Sequence, residues 1–311
     1  MNCMINKVIA IQGNHPATLN PLTDTSIFLA NEIQNRKYKI FYYEPKNLSI
    51  LNSKVVAEGF FIKFNYNKKR FFKILKKQKL ELTKCKMILI RQDPPFNLEY
   101  ISTTYILDTI INKVKIVNNP TSIRNISEKL YSAKYQKFMP KTIFTQNIDE
   151  IKKFFKMHKK IILKPIHGYS GNDVHLLSRY NIRLIKKLIK KHTHIMCQKY
   201  LPNISKGDKR VFLINGKITG VISRIPKKGS FLSNMSKGAI PKVAKLTKIE
   251  QKISKLIARD LKKKKIFFAG IDFIDQKLNG DINVTSPTGL KTLYDLSRIN
   301  LAKTFCKELK I

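Results

Sequence analysis

The sequence predicts an α/β or α+β fold. Strand-like and helix-like periodicities alternate along the chain, and no internal repeat, Gly/Ser linker or low-complexity block interrupts them. With 311 residues and 43% hydrophobic content, the chain can bury one large core or two to three smaller ones. Its longest apolar runs, such as residues 87–90 and 266–270, are far too short to span a bilayer, so we expect no membrane association.

The first third of the sequence predicts one lobe that closes near Val117. Residues 1–12 are interpreted as a first strand (centred on 7–11) rather than a signal peptide, because Lys7 interrupts the apolar stretch. We therefore expect a cytoplasmic protein. Asp24 is a typical helix N-cap before the apolar positions 27, 29, 30 and 33. Further elements are expected as strands at 39–43, 87–91 and 114–117, a helix at 98–112 and a turn at 118–120.

The remaining two thirds predict two more groups of elements. A helix is expected over residues 121–138, capped by Thr121 or Ser122. Asn215-Gly216 between two apolar runs is a strong hairpin signal. The other expected elements are strands at 160–164, 173–177, 195–198, 210–214, 217–224, 267–274 and 281–285, and helices at 182–191 and 246–264.

The charge balance is extreme, with 61 Lys+Arg against 20 Asp+Glu, or +41. Such a balance raises nucleic-acid binding as a hypothesis. The lysines are spread over the whole chain, however, and the sequence is also rich in Ile and Asn, whose codons are A/T-heavy like those of Lys. Compositional drift explains this distribution better than a polyanion groove, and we expect no specific nucleic-acid partner. A positive field would still steer anionic substrates such as ATP towards a cleft.

The four cysteines are scattered, at Cys3, Cys85, Cys197 and Cys306, with no Cys-x-x-Cys and no clustered histidines. This spacing argues against a zinc site and a disulfide framework, and it suits a reducing compartment. We expect most of these cysteines to be small buried apolar residues.

A first candidate phosphate-binding segment is the strand that ends in Lys164, followed by a loop with Gly168 and Gly171. A lysine and free backbone N–H groups both suit phosphate oxygens. The alternative is an ordinary strand end and turn.

A second candidate segment follows an apolar strand and comprises Gln198, Lys199, Tyr200 and Leu201. It can present backbone donors and acceptors to an adenine edge while the leucine packs on the ring, although a plain strand exit has the same pattern.

Two arginines are candidates for holding a carboxylate or phosphate. Arg210 follows Gly207-Asp208-Lys209 at the start of an apolar strand, and Arg224 ends the next strand of the same hairpin. Each can form a bidentate pair with an anion. The alternative is a solvated strand end.

The final third carries oxygen ligands on two neighbouring strands. Asp281 and Asn283 are two residues apart and hence on one strand face, and Asp272 lies on the preceding strand. Carboxylate and amide oxygens suit Mg²⁺, which usually also takes oxygens from substrate phosphates.

The turn between these strands is a test of that site. If Asn279-Gly280 formed a two-residue turn, Asp272 would lie four residues, or about 13 Å, from the level of Asn283. A longer loop over residues 275–280 would place the two opposite each other. A magnesium site therefore predicts the longer loop, whereas a purely structural hairpin predicts the tight turn.

Taken together and in order, these segments resemble bacterial glutathione synthetase, an ATP-grasp family, over nearly the whole chain. Two motifs are specific to that family rather than to ATP-grasp proteins at large: Asp-Pro-Pro-Phe within residues 90–96, and Asn-Val-Thr-Ser-Pro-Thr at residues 283–288. The likeness continues through residues 104–107, 117–120, 127–130, 162–165, 198–202, 207–211 and 224–226.

The resemblance implies an ATP-grasp fold behind an N-terminal, Rossmann-like pre-ATP-grasp α/β domain. The implied domains are residues 1–120, a small subdomain at 121–200, and a catalytic subdomain at 201–311 with a lid loop at about 226–241. It also implies a peptide-bond-forming ligase that joins γ-glutamylcysteine to glycine, giving glutathione, ADP and phosphate through an acyl phosphate. ATP and Mg²⁺, or Mn²⁺, would be required, and a homotetramer is implied as well.

The resemblance also implies roles for individual residues. ATP phosphates would be held by Lys129, Lys164 and the loop with Gly168 and Gly171; the adenine would be framed by Gln198, Lys199, Tyr200 and Leu201, and the ribose approached by Asp208. Metal ions would be held by Asp272, Asp281 and Asn283. The peptide and the phosphorylated intermediate would be handled by Arg91, Asp93, Arg210, Arg224, Asn234, Ser286 and Thr288, with Lys164, Arg210 and Arg224 also acting in catalysis.

The chain departs from the family pattern at several of these places. In the lid, Leu232 stands where the family usually has Arg, and Ala239 stands where it has Gly. Ser170 replaces a usual Gly, which narrows the available backbone conformations. Asp281 replaces Glu, and the preceding loop is one residue longer. Together these changes leave open a reduced activity.

Two alternatives come from other classes. An ATP-grasp ligase for a different amino acid or peptide would share the ATP site and be separated by a substrate panel. A non-catalytic polyanion-binding relative would bind polyanions with a steep salt dependence.

Overall fold

Three β-sheets organise the computed structural model, which describes residues 7–65 and 70–311. The first sheet has seven strands in the order β3-β4-β2-β1-β6-β7, with β5 added on β4. Its strands are β1 (Val8–Gln12), β2 (Lys39–Tyr43), β3 (Leu48–Leu51), β4 (Lys54–Phe64), β5 (Phe72–Glu81), β6 (Met87–Ile90) and β7 (Lys115–Val117). β1 pairs in parallel with β2 and β6, and β6 with β7. The predicted N-terminal strand is thus present from Val8, and residues 1–6 lie outside the described part.

The antiparallel strands β3, β4 and β5 of this sheet were not predicted. β5 carries Lys73, Lys76, Lys77 and Lys79, and much of the strand is exposed. Lysines on an edge strand discourage pairing with another chain, but they also mask the alternation that would identify the strand.

Two helices of this lobe begin at side-chain caps, of which Asp24 was predicted. In α1 (Thr25–Asn35), the Asp24 Oδ1 atom accepts a hydrogen bond of 2.8 Å from the Ile27 N–H. Helix α2 (Leu98–Asp108) begins in the same way at Asn97. These local side-chain-to-backbone bonds satisfy N–H groups that the helix itself leaves unpaired.

The predicted single helix over residues 121–138 is wrong. Helix α3 (Pro120–Asn125) is capped by Asn119, not by Thr121 or Ser122, and a separate 3₁₀ helix spans Leu130–Phe138. Between them the backbone is non-helical at Ile126. The break has a tertiary cause, because the backbone carbonyl of Glu128 accepts from Ile282 in the last strand and its carboxylate accepts from Val284 just after that strand.

The second sheet has four antiparallel strands in the order β10-β9-β11-β8. These are β8 (Thr142–Thr145), β9 (Ile161–Pro165), β10 (His175–Leu177) and β11 (Ile195–Lys199), with helices α4 (Ile148–His158) and α5 (Ile182–His192). The helices and the sheet share a core that includes Ile151, Leu163, Ile185 and Cys197.

The third sheet has five antiparallel strands in the order β14-β13-β12-β15-β16. They are β12 (Asp208–Ile214), β13 (Lys217–Ile225), β14 (Ile240–Val243), β15 (Phe268–Ile274) and β16 (Lys277–Asn283), and the helices are α6 (Lys248–Lys263), α7 (Leu290–Ser297) and α8 (Leu301–Leu309). The predicted Asn215-Gly216 hairpin is present, and both residues have positive φ, as a type I′ turn requires.

The turn between β15 and β16 follows neither of the two predicted arrangements. Asp275 and Gln276 form a two-residue turn with positive φ, since Ile274 pairs with Lys277. This register buries Leu278 in the core, whereas a loop over residues 275–280 would have left it in the connection. The prediction of a long loop is therefore wrong.

A β-bulge replaces that loop. Ile271 pairs with Ile282 but Phe273 pairs with Leu278, so the single residue Asp272 faces the three residues 279–281. The strand keeps its alternation: Leu278, Gly280 and Ile282 are buried, while the residues between them are only partly covered. The bulge thus places Asp281 among the residues opposite Asp272, and both line the same cavity as Asn283.

Among the described residues, Cys85, Cys197 and Cys306 are buried free thiols, and burial raises the pKa of each to about 12. They are the small buried apolar residues that the sequence predicted. In the described ranges we also find no helix that combines the length and the apolar character needed to cross a membrane.

Candidate active site

A cavity of about 600 Å³ lies between three parts of the chain. They are the four-stranded sheet (the small sheet), the five-stranded sheet (the large sheet) and the first lobe. This volume is typical of small-molecule sites. All of the predicted site residues except Arg91 line it. They are Asp93, Lys129, Lys164, Gly168, Gly171, Gln198, Lys199, Tyr200, Leu201, Asp208, Arg210, Arg224, Asn234, Asp272, Asp281, Asn283, Ser286 and Thr288.

Two lysines from different parts of the chain meet at one carboxylate. The Lys129 Nζ atom lies 3.3 Å from Asp281 Oδ1, and the Lys164 Nζ atom lies 3.6 Å from Asp281 Oδ2. Burial raises the pKa of Asp281, but the two ammonium groups outweigh it and hold the pKa below its usual value. Two cations against one anion leave a net positive charge, which suits a polyphosphate.

Burial lowers the pKa of Lys164, and the Asp281 carboxylate opposes this effect. The Lys164 ammonium also donates to the Asn279 carbonyl and to Asn279 Oδ1, both at 2.9 Å. Lys129 donates to the Gly168 carbonyl, so this lysine also ties the glycine loop to the cavity.

The two arginines are held by carboxylates of their own sheet. Arg210 donates from Nε and Nη2 to Asp272, at 2.8 and 2.7 Å, because the two residues are register partners on β12 and β15. Arg224 donates in the same bidentate way to its register partner Asp208 and lies 3.0 Å from Asp272 Oδ2.

All four side chains of this arginine–aspartate cluster are buried. Burial raises the pKa of Asp272, but the two guanidinium groups outweigh that effect and hold it well below its usual range. The bonds use Nε and Nη2 of each arginine and leave the Nη1 groups outside them. The charges within the cluster cancel, so its arginines can add a substrate anion at Nη1 without losing their carboxylate partners.

The segment predicted to frame adenine forms one end of the cavity. Gln198 is buried and donates to Thr142 Oγ1 at 3.1 Å. The N–H groups of Lys199 and Tyr200 donate to the carbonyls of Lys141 and Lys160, at 2.9 and 3.1 Å. These bonds hold the segment along the cavity wall, and Leu201, its last residue, also lines the cavity.

The predicted lid lies over the glycine loop. Ser233 Oγ donates to Asp208 Oδ2 at 2.5 Å, and Lys237 donates to Asn172 Oδ1 at 3.0 Å. A Cβ on Gly171, which has φ +72°, would lie 2.7 Å from Asn234 Oδ1, so the lid approaches the loop as closely as a glycine allows. Ser170 has φ +52°, a left-handed conformation that costs more for serine than for the glycine usual in the family.

Arg91 lies behind the cavity wall. Its guanidinium is buried and donates to Ser26 Oγ at 3.1 Å and to the Pro287 carbonyl at 3.0 Å. In this arrangement it supports the segment that carries Ser286 and Thr288.

The sequence interpretation missed two cavity residues with clear contacts. Glu128 Oε1 accepts from the N–H groups of Val284 and Thr285, at 2.9 and 3.1 Å, and from Thr285 Oγ1 at 2.8 Å. Asn279 binds Lys164, as described above. The position of Glu128 next to Lys129 was a signal for the first, whereas no local pattern marks the second.

The donors on β15 and β16 fit a divalent cation bound together with phosphates. Asp272, Asp281 and Asn283 line one cavity and offer only hard oxygen ligands. Within residues 7–65 and 70–311, no three His, Cys, Asp or Glu side chains form a ready metal cage. Such a sparse set suits Mg²⁺, which binds through one or two carboxylates and completes its shell with water and substrate phosphates.

Comparisons with known proteins agree on one family. The model of the prokaryotic glutathione synthetase N-terminal domain matches residues 8–124, and that of its ATP-grasp domain matches residues 128–298. The glutathione synthetase of Buchnera aphidicola subsp. Baizongia pistaciae is 36% identical over 301 residues, covering 94% of this chain and 93% of the relative. That of Agrobacterium fabrum is 34% identical, covering 95% and 94%.

A solved structure is similar in fold alone. The D-alanyl-alanine synthetase A of Vibrio cholerae superposes with a TM-score of 0.65 at 15% identity, covering 99% of this chain and 98% of that chain.

Proposed function

The chain belongs to the prokaryotic glutathione synthetase family, and from this premise we propose how its residues form glutathione. It is an ATP-dependent ligase with the predicted ATP-grasp fold. We propose γ-glutamylcysteine and glycine as its two substrates and Mg²⁺ as the divalent cation, with Mn²⁺ as the second choice. The observation that supports the site is the convergence of Lys129, Lys164 and Asp281 in one cavity.

The nucleotide is proposed to bind between the two ATP-grasp sheets. The adenine would lie against Leu201 at the end of the segment 198–201, and the phosphates would reach Lys129 and Lys164. Mg²⁺ held by Asp272, Asp281 and Asn283 would supply neutralisation of phosphate charge. A ribose contact of Asp208 stays a prediction, since its carboxylate already accepts from Arg224 and Ser233.

The proposed reaction needs little covalent participation by the protein. The cysteinyl carboxylate attacks the γ-phosphorus of ATP, the bond to the β,γ-bridging oxygen breaks, and ADP leaves. The glycine amine then adds to the carbonyl of the acyl phosphate, and the resulting tetrahedral oxyanion expels phosphate. Lys164 and the Nη1 groups of Arg210 and Arg224 are the cations proposed to orient the anionic groups and to stabilise the developing charge.

The lid is proposed to protect this intermediate. Residues 226–241 cover the glycine loop, and closing them over the cavity would keep water from the acyl phosphate. Asp93, Asn234, Ser286 and Thr288 line the cavity and are the proposed peptide contacts. Arg91 would act indirectly, by supporting residues 286–288.

The wider organisation is proposed from the same family membership. The chain would divide into domains at about residues 120 and 200, work in the cytoplasm and assemble as a homo-oligomer, with a tetramer as the specific expectation. Sedimentation of the purified protein tests the assembly.

A coupled assay of ADP release tests the function. We expect release with ATP, Mg²⁺, γ-glutamylcysteine and glycine, and its loss when either amino substrate is omitted. Release that persists without glycine or without the dipeptide would contradict glutathione synthesis. A panel of other dipeptides and amines in the same assay separates this activity from that of a ligase with another substrate.

A further inference from the structure

Asn279 lies in the bulge of β16 and contacts Lys164, a lysine of the other ATP-grasp sheet. Lys164 belongs to β9 in the small sheet, whereas Asn279 belongs to β16 in the large sheet. The Lys164 ammonium donates twice to this residue, to its backbone carbonyl and to its side-chain Oδ1, at 2.9 Å each.

The bulge is what allows this contact. Residues 279–281 face the single residue Asp272, so the backbone at Asn279 is released from regular pairing with β15. Gly280 has φ +85°, and a Cβ there would lie 2.4 Å from Met196 Cε. Met196 is the register partner of Lys164. A glycine in the bulge therefore lets the small sheet approach close enough for Lys164 to reach Asn279.

The hydrogen-bond capacity of the ammonium explains what this contact does. A lysine ammonium has three N–H donors. Two point to the Asn279 oxygens, and Asp281 Oδ2 lies farther away, at 3.6 Å. Lys164 is buried, with 6% of its surface exposed, so few other orientations are open to it. The two acceptors thus direct the third N–H towards Asp281 and the cavity.

We infer that Asn279 is a positioning residue: its side chain holds the Lys164 ammonium in the orientation that binds the nucleotide phosphates. This inference rests on the proposed function in one respect, the role of Lys164 in phosphate binding. It assigns no direct contact between Asn279 and the reacting atoms.

A double-mutant cycle on ADP binding tests the inference. The proteins are wild type, Asn279→Ala, Lys164→Gln, the double variant, and Asn112→Ala as a matched control at an exposed turn outside the cavity. Calorimetry with ADP and Mg²⁺, without the peptide substrates, gives the Kd. Loss of a hydrogen bond to a charged group should weaken ADP binding about tenfold in Asn279→Ala. The control should bind ADP as wild type does.

The cycle separates positioning from a general structural effect. If Asn279 acts through Lys164, the double variant should bind ADP within about twofold of Lys164→Gln alone. Two results would overturn the inference. One is a Kd for ADP in the double variant that rises by the product of the two single-variant increases, and the other is an Asn279→Ala Kd within about twofold of wild type.

Steady-state kinetics provides a second readout. In Asn279→Ala, the KM for ATP should rise about tenfold while the KM for glycine stays unchanged. An equal rise in both KM values contradicts a role confined to the nucleotide. The two proposals fail separately: wild type that binds ADP but makes no product removes the proposed function and leaves the cycle readable, whereas wild type that binds no ADP removes both.

Discussion

Arg210 and Asp272 face each other on adjacent strands, and two hydrogen bonds of 2.8 and 2.7 Å join them inside the cavity wall. Asp272 lies 3.0 Å from Arg224 as well, so one carboxylate serves both arginines. A residue proposed to bind metal is therefore also the residue that keeps two buried cations in place.

Replacing Asp272 with Asn should destabilise the protein strongly. The change would leave the buried Arg210 without its charged partner and remove one of the two carboxylates beside Arg224. Breaking a buried pair in this way costs about 3 kcal/mol. The free energy of unfolding in urea measures this effect. Asp173→Asn is the control, because Asp173 pairs with Lys191 and His192 close to the protein surface, and its loss should cost less than about 1 kcal/mol. Equal losses in the two variants would show that burial of the Asp272 pairs does not matter.

Glu128 should stabilise the segment after β16 through Oε1. Glu128→Ala removes the acceptor of three hydrogen bonds, including two from backbone N–H groups, and should lower the free energy of unfolding by about 2 kcal/mol. Glu128→Gln keeps Oε1 and should cost less than about 1 kcal/mol. If the Gln variant is as unstable as the Ala variant, the negative charge, and not the acceptor geometry, dominates.

Ser233 should keep the lid closed. Its hydroxyl donates to the buried Asp208 carboxylate, and hydrogen bonds to charged groups contribute about 1.5–3 kcal/mol. In Ser233→Ala we expect trypsin to cut after Lys228 about tenfold faster. Mass spectrometry of timed digests follows this cut. Ser236→Ala, on the exposed part of the same loop, should be cut at the wild-type rate, and a similar rate in Ser233→Ala would show that the bond does not hold the lid.

His167 should make stability depend on pH below neutrality. Burial, and then the nearby Lys129 ammonium, lower the pKa of His167 below its usual 6.5. The unfolded chain therefore binds a proton at His167 more readily, so this contribution is fully present above pH 6.5 and is lost as the pH falls through the lowered folded-state pKa.

The variant His167→Phe isolates this effect, because a phenyl ring can keep the stacking on Phe96, whose ring centroid lies 6.1 Å away. Urea unfolding at pH 7.5 and at pH 5.5 should show a smaller loss of stability in the variant than in wild type. Identical losses would assign the pH dependence to other groups.

Local signals in the sequence were sufficient for many elements. Asp24 begins the predicted helix because its side chain binds an N–H group three residues ahead. Asn215-Gly216 forms the predicted turn because both residues accept positive φ. The site residues from Arg91 to Thr288 were predicted from motif order and resemblance, and all except Arg91 line one cavity.

Other features depend on contacts between segments far apart in sequence. The helix predicted over residues 121–138 is interrupted because Glu128 binds residues 282–285, more than 150 positions away. The edge strand β5 was not predicted because its lysines obscure the alternation of apolar and polar residues. Lysines are tolerated there because the strand is exposed at the edge of the sheet.

The sequence by itself determined which residues carry the chemistry and which short segments form helices and tight turns, because those properties arise from a side chain and its neighbours along the chain. Only the tertiary structure decided how they meet. The bulge opposite Asp272 and the contact of Lys164 with Asn279 follow from burying Leu278 and Ile282 on one side of β16 while the small sheet packs against Gly280. Packing of that kind is a property of several segments at once, and no single stretch of sequence specifies it.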